Sequence, residues 1–514
     1  PASTPMSETE PAITTETPSS EAGASDSLPR SSHPLDPIFH PRGVAVVGVS
    51  SRADPEGRMG GIFLNALVMQ GYPKEYLYPV NPKMDEVLGI KCYPSVLECP
   101  DPVDHVISQI PAAGLAELVD QCIQKGVRSI HSFTAGLAET GEPELIEAER
   151  EIIEKVKAAG VRFIGPNCMG LYVPGVGLSF MPMLPEDPGN VFMLSQSGAN
   201  ANTILRSLGE RGLRFSKGVS FGNGADVRAH ELLDYALADP QSEYVVGYME
   251  GVQDARRFFE RLKQVAVAKP TIILKGGITS DGARAAHSHT GSLAGSIEIF
   301  DAMCRQAGAW RAESMDELLD LATMVTTSVR DVKGPNVALI GAGGGFAVLS
   351  SDQLALVGLT LPPLPEEVQA ELREFVPVAG TSVRNPVDVT FGRDHPLDFV
   401  SEPDLTRRLF EVIANSHSTD VILTTVGGPW RPGSDTSRDE EDRHFRAAIE
   451  EFSRIQERTG VPIVMVQDER RVRRVTQFAH QKRIAIVPTV TRAGKGIADL
   501  LAWRKEREGL PSIL

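Results

Sequence analysis

Long apolar runs are missing from this sequence. None reaches the ~18 residues a membrane-spanning helix needs, and no charged-then-apolar leader opens it, so no membrane association is expected. Cysteine is scarce as well. Cys92, Cys99, Cys122, Cys168 and Cys304 are odd in number, scattered and never spaced as CxxC. A disulfide framework and a zinc site are therefore not expected, no metal ligands are assigned, and a reducing, cytoplasmic setting fits best. Positive charge is in deficit: 51 Lys and Arg face 67 Asp and Glu, giving a net charge of −16. Such a balance argues against wholesale nucleic-acid or anionic-membrane binding, while leaving room for a local basic pocket. A Walker sequence GxxxxGK[ST] and a lysine- and glutamate-rich ATP-grasp region are absent too.

What is present is an ordinary globular composition, 41% hydrophobic and 23% charged over 514 residues. At ~100–200 residues per domain that length predicts three or four domains. Residues 1–34 are rich in Ser, Thr, Pro and Glu and nearly free of large apolar residues, so they are expected to be a disordered tail. Met6 is a candidate native start.

From Pro41 onward, short β-branched runs alternate with amphipathic stretches. GVAVVGV (43–49), EYLYPV (75–80), HVISQI (105–110), RSIHSF (128–133) and VRFIG (161–165) read as buried strands, with helices over 114–126 and 144–160. A second cycle starts at NVFMLSQSG (190–198), after a Pro- and Gly-rich linker, and runs through YVVGYMEGV (244–252) and TIILKGG (271–277). A third starts at NVALIGAGGG (336–345) and includes DVILTTVGG (420–428) and VPIVMVQ (461–467). Strand–helix alternation predicts parallel sheets covered on both faces. The expected α/β organisation is three consecutive domains: 35–180, 188–332 and 335–514.

Four places carry chemistry. The first strand ends in Gly48-Val49-Ser50-Ser51-Arg52. A glycine turn from strand to helix offers N–H groups and a positive helix end to a phosphate, although the same turn can serve packing alone. The second strand runs into Asn81-Pro82-Lys83, where a nicotinamide-binding unit would place an acid for the ribose. A cation there suits a nucleotide with an extra ribose phosphate, which leaves both CoA and NADP open. The strand YVVGYME delivers Glu250 at its C-terminal end, where α/β sheets gather functional groups. Two small-residue turns, Ser195-Gln196-Ser197-Gly198 and Gly343-Gly344-Gly345, precede helix-like stretches and can act as ordinary helix starts or as phosphate cradles. Finally, RAAHSHTGSLAG (284–295) is expected to set His289 in a loop of small donors. Taken alone, His289 reads as a turn filler. Imidazole is also a competent nucleophile that forms a phosphoramidate.

The segment VNPKMDEVLGIKCYPSVLECPDPVDHVI (80–107) closely resembles the CoA-binding domain of the succinyl-CoA synthetase superfamily, in its ADP-forming acetyl-CoA synthetase branch. GVRFIGPNCMGL (160–171) resembles that domain's closing signature, SHTGSLAG the phosphohistidine loop, and SVRNPVDVT (382–390) the third unit, so the resemblance spans about residues 37–500. It implies a Rossmann-like CoA-binding domain followed by two flavodoxin-like domains. It also implies that Ser50, Arg52 and Lys83 meet CoA phosphates, with Gly48 in the same turn. Ile110-Pro111-Ala112 and Thr134-Ala135-Gly136 would line the pantetheine path, His289 would be phosphorylated, and Glu250 would hydrogen-bond it. Ser195–Gly198 and Gly343–Gly345 would face each other across the phosphoryl group. Two departures are SQIPA, where a more apolar stretch is usual, and His287, where a small residue is usual.

The implied activity is NDP-forming acyl-CoA synthesis from a carboxylic acid, CoA and ATP or GTP, releasing phosphate. The nucleotide and Mg2+ would sit on an ATP-grasp β subunit, in an α2β2 assembly. The competing readings are a CoA-dependent acyl or carbamoyl transferase, a non-catalytic CoA-binding scaffold, and an NADP oxidoreductase.

Overall fold

The computed structural model describes residues 29–50, 61–286, 295–341, 343–389, 399–426 and 437–507, and the backbone alone of 287–290. Arg52, among the expected CoA contacts, lies outside them, as do Gly57, Gly60, residues 291–294 and residues 1–28 of the expected tail.

The β-branched runs form the strands expected of them, and their residues are buried on both faces, as parallel sheets require. The first sheet runs Leu77–Val80, Val44–Val47, His105–Ser108, Ser129–Ser132, Arg162–Ile164. Val44 pairs with Leu77 on one side and His105 on the other, all parallel. The second runs Trp310–Ala312, Thr271–Lys275, Tyr244–Met249, Pro188–Ser195, Phe215–Ser220, Gly170–Tyr172, and only the last is antiparallel. The third runs Ser382–Val383, Val387–Asp388, Val337–Ile340, Val421–Thr424, Ile463–Val466, Ala485–Val487. Its first two strands pair antiparallel.

Taking the parallel strands of each sheet in chain order, all three are wound second, first, third, fourth, fifth. In each, the chain reverses direction between the first and third strands. The loops after those two strands diverge to opposite faces and leave a crevice at their carboxyl ends. Gly48 and Ile110 border the first crevice, and Ser195 and Glu250 the second. Gly341 borders the third, where an added Cβ would lie 2.5 Å from Thr425 Oγ1.

Three expectations are corrected. Arg30, Ser31 and His33, placed in the tail, are bound. Arg30 pairs with buried Asp36, Ser31 Oγ donates to Ala238 O, and His33 packs edge-on against Tyr235. The stretch taken as a linker before residue 190 is core, with Leu178, Phe180 and Leu184 buried, and Gly170–Tyr172 just before it, expected within the first domain, extends the second sheet. His289 lies not in a loop but in the helix Ser280–Thr290. Ala- and Arg-containing DGARAAHSHT carries no proline and no glycine after Gly282, so nothing in it breaks a helix.

The units are joined by apolar and ionic contacts. One core cluster runs from Leu35 through the second sheet to Trp503 of the last helix. Asp320, nearly fully buried, accepts from Arg211 at 2.8 Å and from Arg492 at 2.6 and 2.7 Å, tying the second unit to the third. Trp310 and Trp503 stack at 4.8 Å across the same junction.

Candidate active site

At the first crevice, Gly48 turns with φ +89°, and a Cβ there would stand 3.0 Å from Ile110 Cγ2. Its N–H donates to Val80 O. Asn81 Nδ2 donates to Val49 O at 2.7 Å, and Asn81 Oδ1 accepts the Lys83 N–H at 2.8 Å. One side chain thus fixes the glycine turn against the cation-bearing turn, with Lys83 exposed. Thr134 Oγ1 donates to Ile110 O at 2.9 Å, so Gly48, Ile110 and Thr134 converge, with Pro111 exposed beside them. Beneath them, His131 Nε2 donates to Cys168 O at 3.1 Å and its ring covers the spot where a Cβ of Gly170 would sit. Burial drives His131 down to about 4 and His105 to about 3.

The second crevice is more tightly built. Gln196 Oε1 accepts the N–H groups of Glu250 at 2.8 Å and Gly251 at 3.0 Å. Gln196 is 4% exposed and its own N–H donates to Tyr248 O. Tyr248 Oη donates to Glu250 Oε1 at 3.3 Å, whereas Glu250 Oε2 is buried and has no hydrogen-bond partner among the described residues. A buried carboxylate oxygen left without a donor is costly, so this atom is the one in the crevice most in need of an N–H. Ser197 caps the helix Gly198–Glu210 by accepting the Asn200 N–H, and Ser195 Oγ accepts from Ser197 N and donates to Ser197 O. Lys275, which ends the neighbouring strand, donates to Glu250 O at 2.6 Å.

The strand Thr271–Lys275 leads into the helix Ser280–Thr290 that carries His289. That helix packs against Ala138–Thr140 of the first unit, beside Thr134–Gly136. A polar chain links the two crevices. Gln253 donates to Asn223 O at 2.9 Å, Asn223 donates to Glu139 at 2.8 Å, and Glu139 accepts the Gly136 N–H. Glu149, also an acceptor of Asn223 at 3.3 Å, is held above the usual carboxylate range by burial.

The third turn differs. Gly343 caps the helix Gly344–Leu356 without a side-chain bond, and Gly344 and Gly345 have open space where a Cβ would be. The sequence marks Asn81 only as part of the Lys83 turn, and it does not single out Asn223, Glu139 or Lys275. Among the described residues no three His, Cys, Asp or Glu side chains converge into a metal-binding group.

Comparison with known proteins fits this geometry unit by unit. Residues 42–174 match a CoA binding domain, 188–325 a succinyl-CoA ligase like flavodoxin domain, and 337–402 a ligase-CoA domain. The alpha subunit of an ADP-forming acetate–CoA ligase II from Pyrococcus furiosus is 40% identical over 69% of this chain and 76% of its own. The chain belongs to the family of ADP-forming acyl-CoA synthetases. Another member, acetate–CoA ligase [ADP-forming] I of Archaeoglobus fulgidus, is 36% identical over 76% of this chain but only 55% of its own length. A solved acetyl-CoA synthetase from Candidatus Korarchaeum cryptofilum, in complex with phosphate and ADP, superposes with a TM-score of 0.73 at 28% identity. It covers 93% of this chain and 98% of that one. Among the described residues no helix is long and apolar enough to cross a membrane.

Proposed function

We propose that this chain is the CoA-binding, phosphohistidine-bearing subunit of an NDP-forming acyl-CoA synthetase, working with an ATP-grasp β subunit in an α2β2 assembly. The observation that carries the reading is Glu250 Oε2, buried without a donor at a strand end whose neighbouring strand leads to the His289 helix. A carboxylate so placed can accept one ring N–H of a histidine, fix its tautomer and steady the cation formed on phosphorylation.

The reaction runs in three displacements. A phosphate oxygen attacks the thioester carbonyl of acyl-CoA, the C–S bond breaks, and CoA leaves as thiolate. An imidazole nitrogen of His289 then attacks phosphorus of the acyl phosphate, and the P–O bond to the carboxylate breaks. In the last step the terminal oxygen of ADP or GDP on the partner attacks phosphorus and the N–P bond breaks. CoA occupies the first crevice, its phosphates held by Ser50, Arg52, Lys83 and the Gly48 turn, and its pantetheine arm running past Ile110, Pro111 and Thr134. The positive helix ends that begin at Ser195–Gly198 and Gly343–Gly345 stabilise the phosphoryl oxygens, the first through its dipole and the second also through the N–H groups of its glycine turn. Magnesium accompanies the nucleotide on the partner and neutralises its phosphates. Naming of relatives as alpha subunits supports a partner chain.

The test uses the assembled complex with acetyl-CoA, butyryl-CoA and benzoyl-CoA as probes. Thiol release that requires both phosphate and ADP is expected for at least one of them. CoA binding without phosphate-dependent thiol release from any of them would instead support a scaffold.

A further inference from the structure

Lys275 is 5% exposed at the end of its strand, where its Cα pairs with Met249. Its ammonium donates to the carbonyls of Glu250 and Gly276 and lies 5.9 Å from the centre of the Phe300 ring. Among the described residues it makes no ion pair. Burial holds the ammonium below its ordinary value, partly offset by Glu250.

A buried cation without a carboxylate partner is expensive, and an apolar side chain of similar volume would pack there at lower cost. What the charge does is visible from its partner. The Glu250 residue is gripped at its amide by Gln196 Oε1 and at its carbonyl by Lys275 Nζ. Both grips come from side chains at least 95% buried, Lys275 ending one strand that flanks Tyr244–Met249 and Gln196 just past the end of the other. With N–H and C=O both fixed, the direction in which the Glu250 carboxylate leaves the backbone is fixed as well. A phosphoryl group arriving on His289 brings roughly two negative charges toward that carboxylate, and a buried ammonium beside it counters the repulsion.

We propose that Lys275 and Gln196 are positioning residues that clamp Glu250 from opposite sides, and that Lys275 also supplies the buried positive charge offsetting the phosphoryl group. This rests on the phosphohistidine reading above. The step they serve is transfer of the ATP γ-phosphoryl to His289, in which the N–P bond forms, the bond to the β-phosphate oxygen breaks, and ADP leaves.

The experiment measures single-turnover labelling of the assembled complex by γ-labelled ATP with magnesium, with CoA affinity and the thermal midpoint as independent readouts. Lys275→Met is expected to slow labelling on the order of 100-fold, the cost of a misplaced reacting group. CoA affinity should stay within about two-fold, because that site lies on the first sheet. Lys275→Arg should recover most of the rate by restoring the charge. Lys275→Met combined with Glu250→Gln should be no slower than Glu250→Gln alone, since one acts through the other. Gln196→Ala, which removes the other grip and keeps the charge, should also slow labelling with CoA affinity preserved. Wild-type rates in Lys275→Met, additivity with Glu250→Gln, or joint loss of CoA binding and thermal midpoint in both Lys275→Met and Gln196→Ala would each overturn the proposal. A wild type that takes no label would overturn the phosphohistidine reading itself, and this clamp with it.

Discussion

Ser195–Gly198 and Gly343–Gly345 read almost alike as sequence, each a small-residue turn between a buried strand and a helix, yet the fold treats them differently. The first is filled. Ser197 caps its helix, Gln196 is committed to Glu250 and Gly251, and a Cβ on Gly198 would land 2.7 Å from Met169 Cγ. The second is open. Gly343 lacks a side-chain cap, Gly344 and Gly345 meet nothing within 4 Å, and Val348 and Leu349 just beyond are each 64% exposed. One helix end is therefore set by the protein's own packing, whereas the other leaves open space around its glycines. Only the first grips a neighbouring acid, Glu250, and it does so through Gln196 rather than through its glycine.

Acid should separate the two turns most strongly. His131, which supports Cys168 and Gly170 beside Met169, has a folded-state value near 4, below the ~6.5 of an unfolded histidine. A depressed histidine value means the unfolded chain binds the proton more tightly. The stability it contributes is complete above about pH 6.5 and is lost as pH falls toward 4, on the order of 3 kcal/mol by then. Hydrogen exchange followed from pH 7 to 4.5 should show the amides of Gly198–Glu210 losing protection, while the first turn of Gly344–Leu356 exchanges freely throughout. Equal protection in both at neutral pH would break the contrast.

Next in size is Gln196→Ala. It strands two buried N–H groups at about 1–3 kcal/mol each, so denaturant unfolding should register a loss of at least about 2 kcal/mol. The smallest effects come from a matched pair of glycine substitutions. Gly198→Ala must push Met169 aside and should cost about 1–3 kcal/mol. Gly345→Ala has room and gains helix propensity, so it should be neutral or stabilising by up to about 1 kcal/mol. Opposite signs in the two thermal midpoints sharpen the comparison, and a destabilised Gly345→Ala would refute it.

Much of the fold was legible because VAVV, YVVGYM, TIILK and VALI are continuous apolar or β-branched runs, as strands buried on both faces must be. The His289 helix was not. Its small polar residues suggested a loop, and no short-range signal separates a helix end from a turn in SHTGS. Of the site, the motif-bearing positions Gly48, Ser195–Gly198 and Glu250 could be singled out, because each lies at or just past the end of a strand. Lys275 could not, since a lysine at a strand end normally reads as solvated. Asn223 and Glu139 were hidden for another reason: their bond joins residues 84 apart in sequence, a closeness that only the docking of two sheets creates.

The most direct measurement of the central claim is labelling of the assembled complex with γ-labelled ATP and magnesium, in wild type and in His289→Ala. An acid-labile, base-stable label that discharges when CoA and a carboxylic acid are added is expected on wild type, and no label on His289→Ala. Equal labelling of the two proteins, or none on a wild type that binds CoA beside an active partner subunit, would contradict it.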